Sequence, residues 1–270
     1  KPDKRLGQHF LIDSEPLYAM IEAAELTKAD GVLEVGPGLG VLTKELCREV
    51  KKVVAVEKDR TLIPILEDET KQFENICIIE DDVLKLDIEK LTDHYFDTGF
   101  KVVANLPYYI TSPIIMKLIE NRFFISLAVL MIQKEVAQRL IATPGKKDYG
   151  ILSIAVQLYA DVDMVYTIGQ EAFLPPPKVE SAIVKIRLRR EARVVLKDEG
   201  LFFKVVEAAF GERRKTLRNS LKRRLTLPGI TPDIIDKVLQ EAHIDPMRRG
   251  ETLSIQEFAD ITHSILNYIK

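Results

Sequence analysis

Four consecutive residues, Asn105-Leu106-Pro107-Tyr108, could do chemistry on a flat aromatic amine. Such an amine is a poor nucleophile, because its lone pair is delocalised into the ring. A catalyst must supply acceptors that hold the amine hydrogens and favour a pyramidal nitrogen. The Asn105 side-chain oxygen and the Leu106 carbonyl offer two acceptors, and Pro107 fixes the turn that presents them. Tyr108 offers a ring face on which a base can stack. A base in a structured nucleic acid must first be extruded from its neighbours. Its attack on a sulfonium methyl group is an in-line displacement, so positioning supplies much of the acceleration.

A second constellation suits the methyl donor. Glu34-Val35-Gly36-Pro37-Gly38-Leu39-Gly40 has the form acidic-x-Gly-x-Gly-x-Gly between a strand and a helix. Glycines there let a ligand approach the backbone closely. A nicotinamide fingerprint would need its third glycine at position 41, where Val41 stands, which disfavours a hydride-transfer enzyme. The observed spacing fits S-adenosylmethionine, which has a methionine portion and a ribose but no pyrophosphate. Glu57 ends the next strand, 21 residues after Gly36, where a carboxylate can accept from both ribose hydroxyls. Asp82 follows the third strand and can accept from the cofactor's adenine amine, with the Val83 backbone beside it. The adjacent Asp81 leaves that assignment open by one residue.

The elements that must position these groups are readable from periodicity. Gly31–Val35, Val53–Glu57, Ile76–Ile79, Val102–Ala104 and Ala128–Ile132 read as short apolar strands. Helical patterns fall between them at Leu39–Glu49, Leu62–Phe73, Ser112–Ile119 and Glu135–Ile141. Ser112-Pro113 reads as a helix cap and first position. Tyr149–Tyr159 reads as helix, then Val162–Thr167 and Ala182–Leu188 as late strands. This alternation predicts an α/β fold, a Rossmann-like class I methyltransferase sheet, mostly parallel with an antiparallel edge strand. Beyond about Arg190 only helices are expected: Leu201–Phe210, Lys215–Arg224, Asp233–Ala242 and Ile255–Ile269. Thr231-Pro232 and the capping box Ser254…Glu257 mark two of their starts. The expected organisation is therefore a cofactor-binding domain over 1–192 and a small all-α domain over 193–270.

Bulk properties restrict the classes further. No apolar run approaches membrane-span length, and the basic, polar start at Lys1 to His9 does not read as a secretory signal. Cys47 and Cys77 lack metal-ligand spacing, and no pair among the four histidines has zinc-motif spacing, so neither a disulfide framework nor a metal is expected. A cytoplasmic location is expected from the same features. The net charge of −2 speaks against a nucleic-acid binder, but its distribution does not. Lys185 to Arg224 holds 14 Lys/Arg against 5 Asp/Glu. A polyanion responds to that local field more than to the total. Arg214, Arg218 and Lys222, at i, i+4 and i+8, are expected to form one cationic helix stripe, beside an apolar stripe of Leu217, Leu221 and Leu225. Arg213, Lys215, Arg223 and Arg224 add to it. Basic runs are usually solvated helix faces, but seven cations in twelve residues with Glu212 as the one acid beside them suit an RNA backbone.

Several motifs together resemble the ribosomal RNA adenine dimethyltransferase family. They are Gly7-Gln8-His9-Phe10-Leu11, the glycine turn, Asn105 through Pro113, Gln133-Lys134-Glu135-Val136-Ala137, Phe173 through Ser181, and Arg213 through Asn219. The resemblance runs from about Arg5 to the C-terminus and is strongest to the bacterial small-subunit branch. It implies a seven-stranded sheet, a helical C-terminal domain, and dimethylation of two adjacent adenosines in a hairpin near the 3′ end of 16S rRNA. It implies cofactor roles for His9, Leu11, Gly36, Glu57, Asp82 and Asn105, with Tyr108 and Phe173 enclosing the target base. It also implies small ribosomal subunits as partner and a monomer. The chain departs from the family pattern at His9, often Asn, and at Asp81-Asp82-Val83, often Gly-Asp-Ala. Rival readings are a large-subunit rRNA resistance enzyme, which shares the Asn-Leu-Pro-Tyr core, and a ribosome-assembly factor with secondary catalysis. A DNA methylase would be separated by comparing methyl uptake into rRNA and DNA.

Overall fold

The computed structural model describes residues 10–212 and 214–269. The expectations at His9 and Arg213 lie outside the described residues. Contacts divide the chain into two compact units. The first is Lys1–Gln138 with Tyr159–Arg190, and the second is Arg139–Leu158 with Glu191–Lys270.

The first unit is built on nine strands: β1 (Phe10–Leu11), β2 (Gly31–Val35), β3 (Lys52–Glu57), β4 (Ile76–Glu80), β5 (Phe100–Asn105), β6 (Ile125–Gln133), β7 (Ala160–Ile168), β8 (Phe173–Leu174) and β9 (Ser181–Leu188). Seven of them form one sheet in the order β4-β3-β2-β5-β6-β9-β7. The pairs from β4 through β6 are parallel. β9 is antiparallel to both β6 and β7, so β7 at the edge again runs with the majority. Central parallel strands are covered on both faces, which is why β3 from Val53 to Val56, and β2 apart from Glu34, read as apolar runs rather than alternating ones. Val32, Leu33, Val53, Val54 and Ala55 are fully buried. A separate two-stranded ribbon pairs β1 with β8, matching Leu11 to Phe173.

Helices α1 (Ser14–Ala23), α2 (Val41–Glu49), α3 (Ile63–Thr70), α4 (Ile88–Tyr95) and α5 (Thr111–Glu120) belong to this unit. Asp13 caps α1 by accepting from the Glu15 amide at 3.0 Å. α5 starts one residue before the expected Ser112 cap. A turn of 3-10 helix, Tyr108–Ile110, runs straight into it, and the Thr111 hydroxyl donates back to the Pro107 carbonyl at 3.3 Å. Pro113 then occupies the first turn, where its missing N–H removes no helical hydrogen bond.

α6 (Lys134–Ile141) and α7 (Ile151–Tyr159) straddle the two units, and the second unit continues with α8 (Glu199–Phe210), α9 (Leu217–Arg224), α10 (Pro232–Glu241) and α11 (Ile255–Leu266). A single cut near residue 192 therefore does not describe the contacts. Most of α7 has apolar residues around its whole circumference, with Ile154, Ala155, Val156 and Leu158 buried, and it packs with the C-terminal helices. The Tyr149 hydroxyl donates to the Leu253 carbonyl at 2.9 Å, and the Tyr149 and Phe210 rings lie 6.1 Å apart. The capping box at Ser254 and Glu257 forms as the sequence predicts.

Candidate active site

The carboxyl ends of β2, β3, β4 and β5 open on one cavity. Its wall includes Leu11, Gly36, Glu57, Asp82, Val83, Asn105, Leu106, Pro107, Tyr108 and Phe173. All these sequence-predicted site residues therefore converge. Open parallel sheets bind ligands at this edge.

The glycine turn has the shape its composition demands. Gly36, Gly38 and Gly40 all have positive φ, at 68°, 59° and 79°. Side chains there would be strained, so the turn passes closely under the cavity only as glycine. Glu57 braces the turn. Its Oε2 accepts from the Gly38 amide at 3.1 Å and its Oε1 from the Asp59 amide at 2.8 Å. Burial raises its pKa above the ordinary carboxylate value, against the pull of those amides. Glu57 also lines the cavity.

At the end of β4 both Asp81 and Asp82 line the cavity. Asp81 Oδ1 accepts from the Asp82 amide at 2.6 Å, so the extra acid shapes the turn. Asp82 accepts from the Leu84 amide at 3.1 Å and pairs with Lys58 Nζ at 2.9 Å. That hydrogen bond to Lys58 is the main reason its pKa is lowered. Lys58 thus reaches across from the residue after Glu57 to hold the Asp82 carboxylate in the cavity wall.

β5 ends at Asn105, and the Leu106 amide donates to the Met131 carbonyl at 3.0 Å, anchoring the turn to β6. The Asn105 side chain makes no hydrogen bond to a described residue. Tyr108 is half-buried, its hydroxyl 2.6 Å from Ser181 Oγ, and Phe173 is 2% exposed with its ring in the core behind the cavity.

Glu34 has no predicted role, yet it lines the same cavity at 1% exposure. Its Oε2 has no hydrogen-bond partner, nor has the buried Thr43 Oγ1. Burial pushes its pKa up to about 8, and the neighbouring Glu57 charge adds to the rise. The signal was a lone acid inside the otherwise apolar strand Gly31-Val32-Leu33-Glu34-Val35. A cationic sulfonium cofactor fits a cavity lined by two carboxyl groups, Glu34 and Glu57. Among the described residues no cluster of His, Cys, Asp and Glu is arranged to hold a metal.

The cationic stripe in the second unit differs from its expectation. α9 begins at Leu217, capped by Thr216, so Arg214 lies before the helix and the i, i+4, i+8 row is not formed. Arg218 makes a bidentate pair with Asp236 at 2.6 and 2.7 Å, and Lys222 joins the same carboxylate at 2.9 Å. Arg223 pairs with Glu212 at 3.2 Å. The single-acid count missed Asp236 because α10 brings it from elsewhere in the chain. Arg214 and Lys215 are exposed and make no ion pair with a described residue. The apolar stripe is as expected, with Leu217, Leu221 and Leu225 buried.

A mostly parallel seven-stranded sheet, with a glycine turn after β2 and acids ending β3 and following β4, defines a class I methyltransferase that uses S-adenosylmethionine. The family model for ribosomal RNA adenine dimethylase matches residues 1–260. The chain belongs to that family. It is 48% identical over 264 residues to ribosomal RNA small subunit methyltransferase A of Geobacillus sp. (strain WCH70), covering 97% of this chain and 91% of that one. The protein of the same name from Bacillus mycoides (strain KBAB4) is 45% identical over 265 residues, with the same coverages. Among solved structures, a dimethyladenosine transferase from Plasmodium falciparum superposes with a TM-score of 0.82 at 27% identity, covering 96% of this chain and 98% of that one. The 23S rRNA methyltransferase ErmE superposes with a TM-score of 0.71 at 26% identity, covering 94% and 98%.

Proposed function

We propose that the protein transfers methyl groups from S-adenosylmethionine to the exocyclic amines of two adjacent adenosines in the 3′-terminal hairpin of 16S rRNA, on small ribosomal subunits. The observation that carries this is the Asn105-Leu106-Pro107-Tyr108 turn opening into the cavity that Gly36, Glu57 and Asp82 also line. S-adenosylmethionine supplies an activated methyl group on a sulfonium centre. In this reading Glu57 holds the ribose hydroxyls and Asp82 the adenine amine, Gly36 lines the methionine and ribose, and His9 and Leu11 help bind the cofactor. Asn105 and the Leu106 carbonyl accept from the target amine, and Tyr108 and Phe173 receive the flipped base. The high identity to proteins named for the small subunit favours that substrate over a large-subunit one.

RNA docking in this reading uses Arg214 and Lys215 directly, with Arg213, Arg218 and Lys222 beside them. The protein acts as a monomer in the cytoplasm, where its ribosomal substrate is. No helix among the described residues is long and apolar enough to cross a membrane. Labelled-methyl transfer to unmethylated small subunits, mapped by mass spectrometry, tests the proposal. Two adjacent dimethyladenosines near the 3′ end are expected. Label confined to large subunits or to DNA would overturn it.

A further inference from the structure

Tyr108 follows β5 as the first residue of the 3-10 turn Tyr108–Ile110, and the plane of its ring is set by two side-chain torsions. The far end of the ring is held by the hydrogen bond of 2.6 Å between its hydroxyl and Ser181 Oγ. Ser181 is completely buried. It is the first residue of β9, and the ladder fixes it on both sides, opposite Gln133 of β6 and Ile168 of β7. The phenol is thus tied to the rigid part of the sheet. The segment from Phe173 to Ser181 carries an aromatic wall of the cavity at one end and the anchor of Tyr108 at the other.

We propose that Ser181 is a positioning residue, which sets the plane of the Tyr108 ring and keeps one adenine seated through two successive methyl transfers. The proposal rests on the reading of Tyr108 as the platform for the target base. In each transfer the amine nitrogen forms a bond to the methyl carbon and the carbon–sulfur bond breaks, its electron pair staying on sulfur. One amine proton is released to water each time. A second molecule of S-adenosylmethionine must enter before the monomethylated amine reacts again. During that exchange the base either stays stacked or dissociates, and a ring held in one plane favours its staying.

The experiment measures mono- and dimethyladenosine by mass spectrometry of digested rRNA, after limited reaction with unmethylated small subunits, together with kcat/KM for subunits and KM for S-adenosylmethionine. Ser181→Ala and Tyr108→Phe each remove the same hydrogen bond from opposite sides. Each is expected to raise the monomethyl fraction and lower kcat/KM about threefold to tenfold, as befits one neutral hydrogen bond. The cofactor KM is expected to stay unchanged, the double variant to be no worse than the worse single, and Ser181→Thr to restore the wild-type product ratio. Should Ser181→Ala fail to fold, Tyr108→Phe carries the same test. Wild-type product ratios in both single variants, or additive losses in the double, would overturn the role of Ser181. Tyr108→Ala separates the two levels: if it too behaves as wild type, the platform reading itself falls, whereas if it alone is impaired, only the anchoring fails.

Discussion

Replacing Glu34 by Gln removes one titration from the interior while keeping the side chain's shape. In the folded protein the Glu34 pKa is about 8, against an ordinary value of 4.5. The sign follows from linkage. An acid whose pKa is raised by folding contributes stability that is fully present below the lower value and is lost as pH rises through the upper one. Each pKa unit corresponds to about 1.36 kcal/mol, so the difference amounts to roughly 5 kcal/mol over the whole range. Between pH 6 and pH 8 the wild-type protein should therefore lose about 2 kcal/mol that Glu34→Gln does not lose. Urea unfolding of both chains at pH 6, 7 and 8 measures this, since titrations not coupled to Glu34 are common to the two and cancel in the comparison. Saturating S-adenosylmethionine should shrink the difference, because its positive charge favours the ionised carboxyl. Parallel stability curves for wild type and variant, without cofactor, would refute the assignment of Glu34 as a buried neutral acid.

Glu57→Ala should weaken S-adenosylmethionine binding by about 1.5–3 kcal/mol, the range for hydrogen bonds to a charged group. Glu57→Gln keeps part of the brace on the glycine turn, so titration calorimetry of both variants separates the ribose contact from the support of Gly38. Asn105→Ala should leave the fold intact and reduce turnover strongly at saturating cofactor; a wild-type rate there removes Asn105 from catalysis. Asp236→Asn frees Arg218 and Lys222 from their shared carboxylate, so affinity for small subunits should rise and its salt dependence steepen. Unchanged affinity and slope would mean that these two cations only tie α9 to α10.

Much of this architecture was legible from local pattern. The β2–β6 strands and their cavity-edge residues follow from short apolar runs ending in Glu57, Asp82 and Asn105, since strand ends and ligand edges coincide in a parallel sheet. Elements with little local signal were missed. α4 has eight residues and few apolar positions, α1 starts beside Pro16, and β1 and β8 have two residues each. The missed site residues have the same cause. Lys58 and Ser181 act through partners 24 and 73 residues away in sequence, and no spacing rule reaches that far. Asp236 escaped the charge count around α9 for that reason as well. Glu34 was visible as an acid in a buried strand, but its lack of a partner appears only in three dimensions.

The β1–β8 ribbon joins two stretches of the chain that lie far apart in sequence. It consists of two register pairs, Phe10 with Leu174 and Leu11 with Phe173, and the Ile12 amide adds a bond of 2.9 Å to the Ala172 carbonyl. So short a ribbon is marginal alone. Leu11 on one strand and Phe173 on the other both line the cavity. Under the proposed roles of Leu11 and Phe173, a donor molecule gripping the first strand would steady the wall offered to the base, and a seated base would steady the strand over the donor. Such heterotropic coupling is reciprocal, each occupant tightening the other by the same factor. The ribbon thus makes the two halves of the reaction cooperate before any bond is broken.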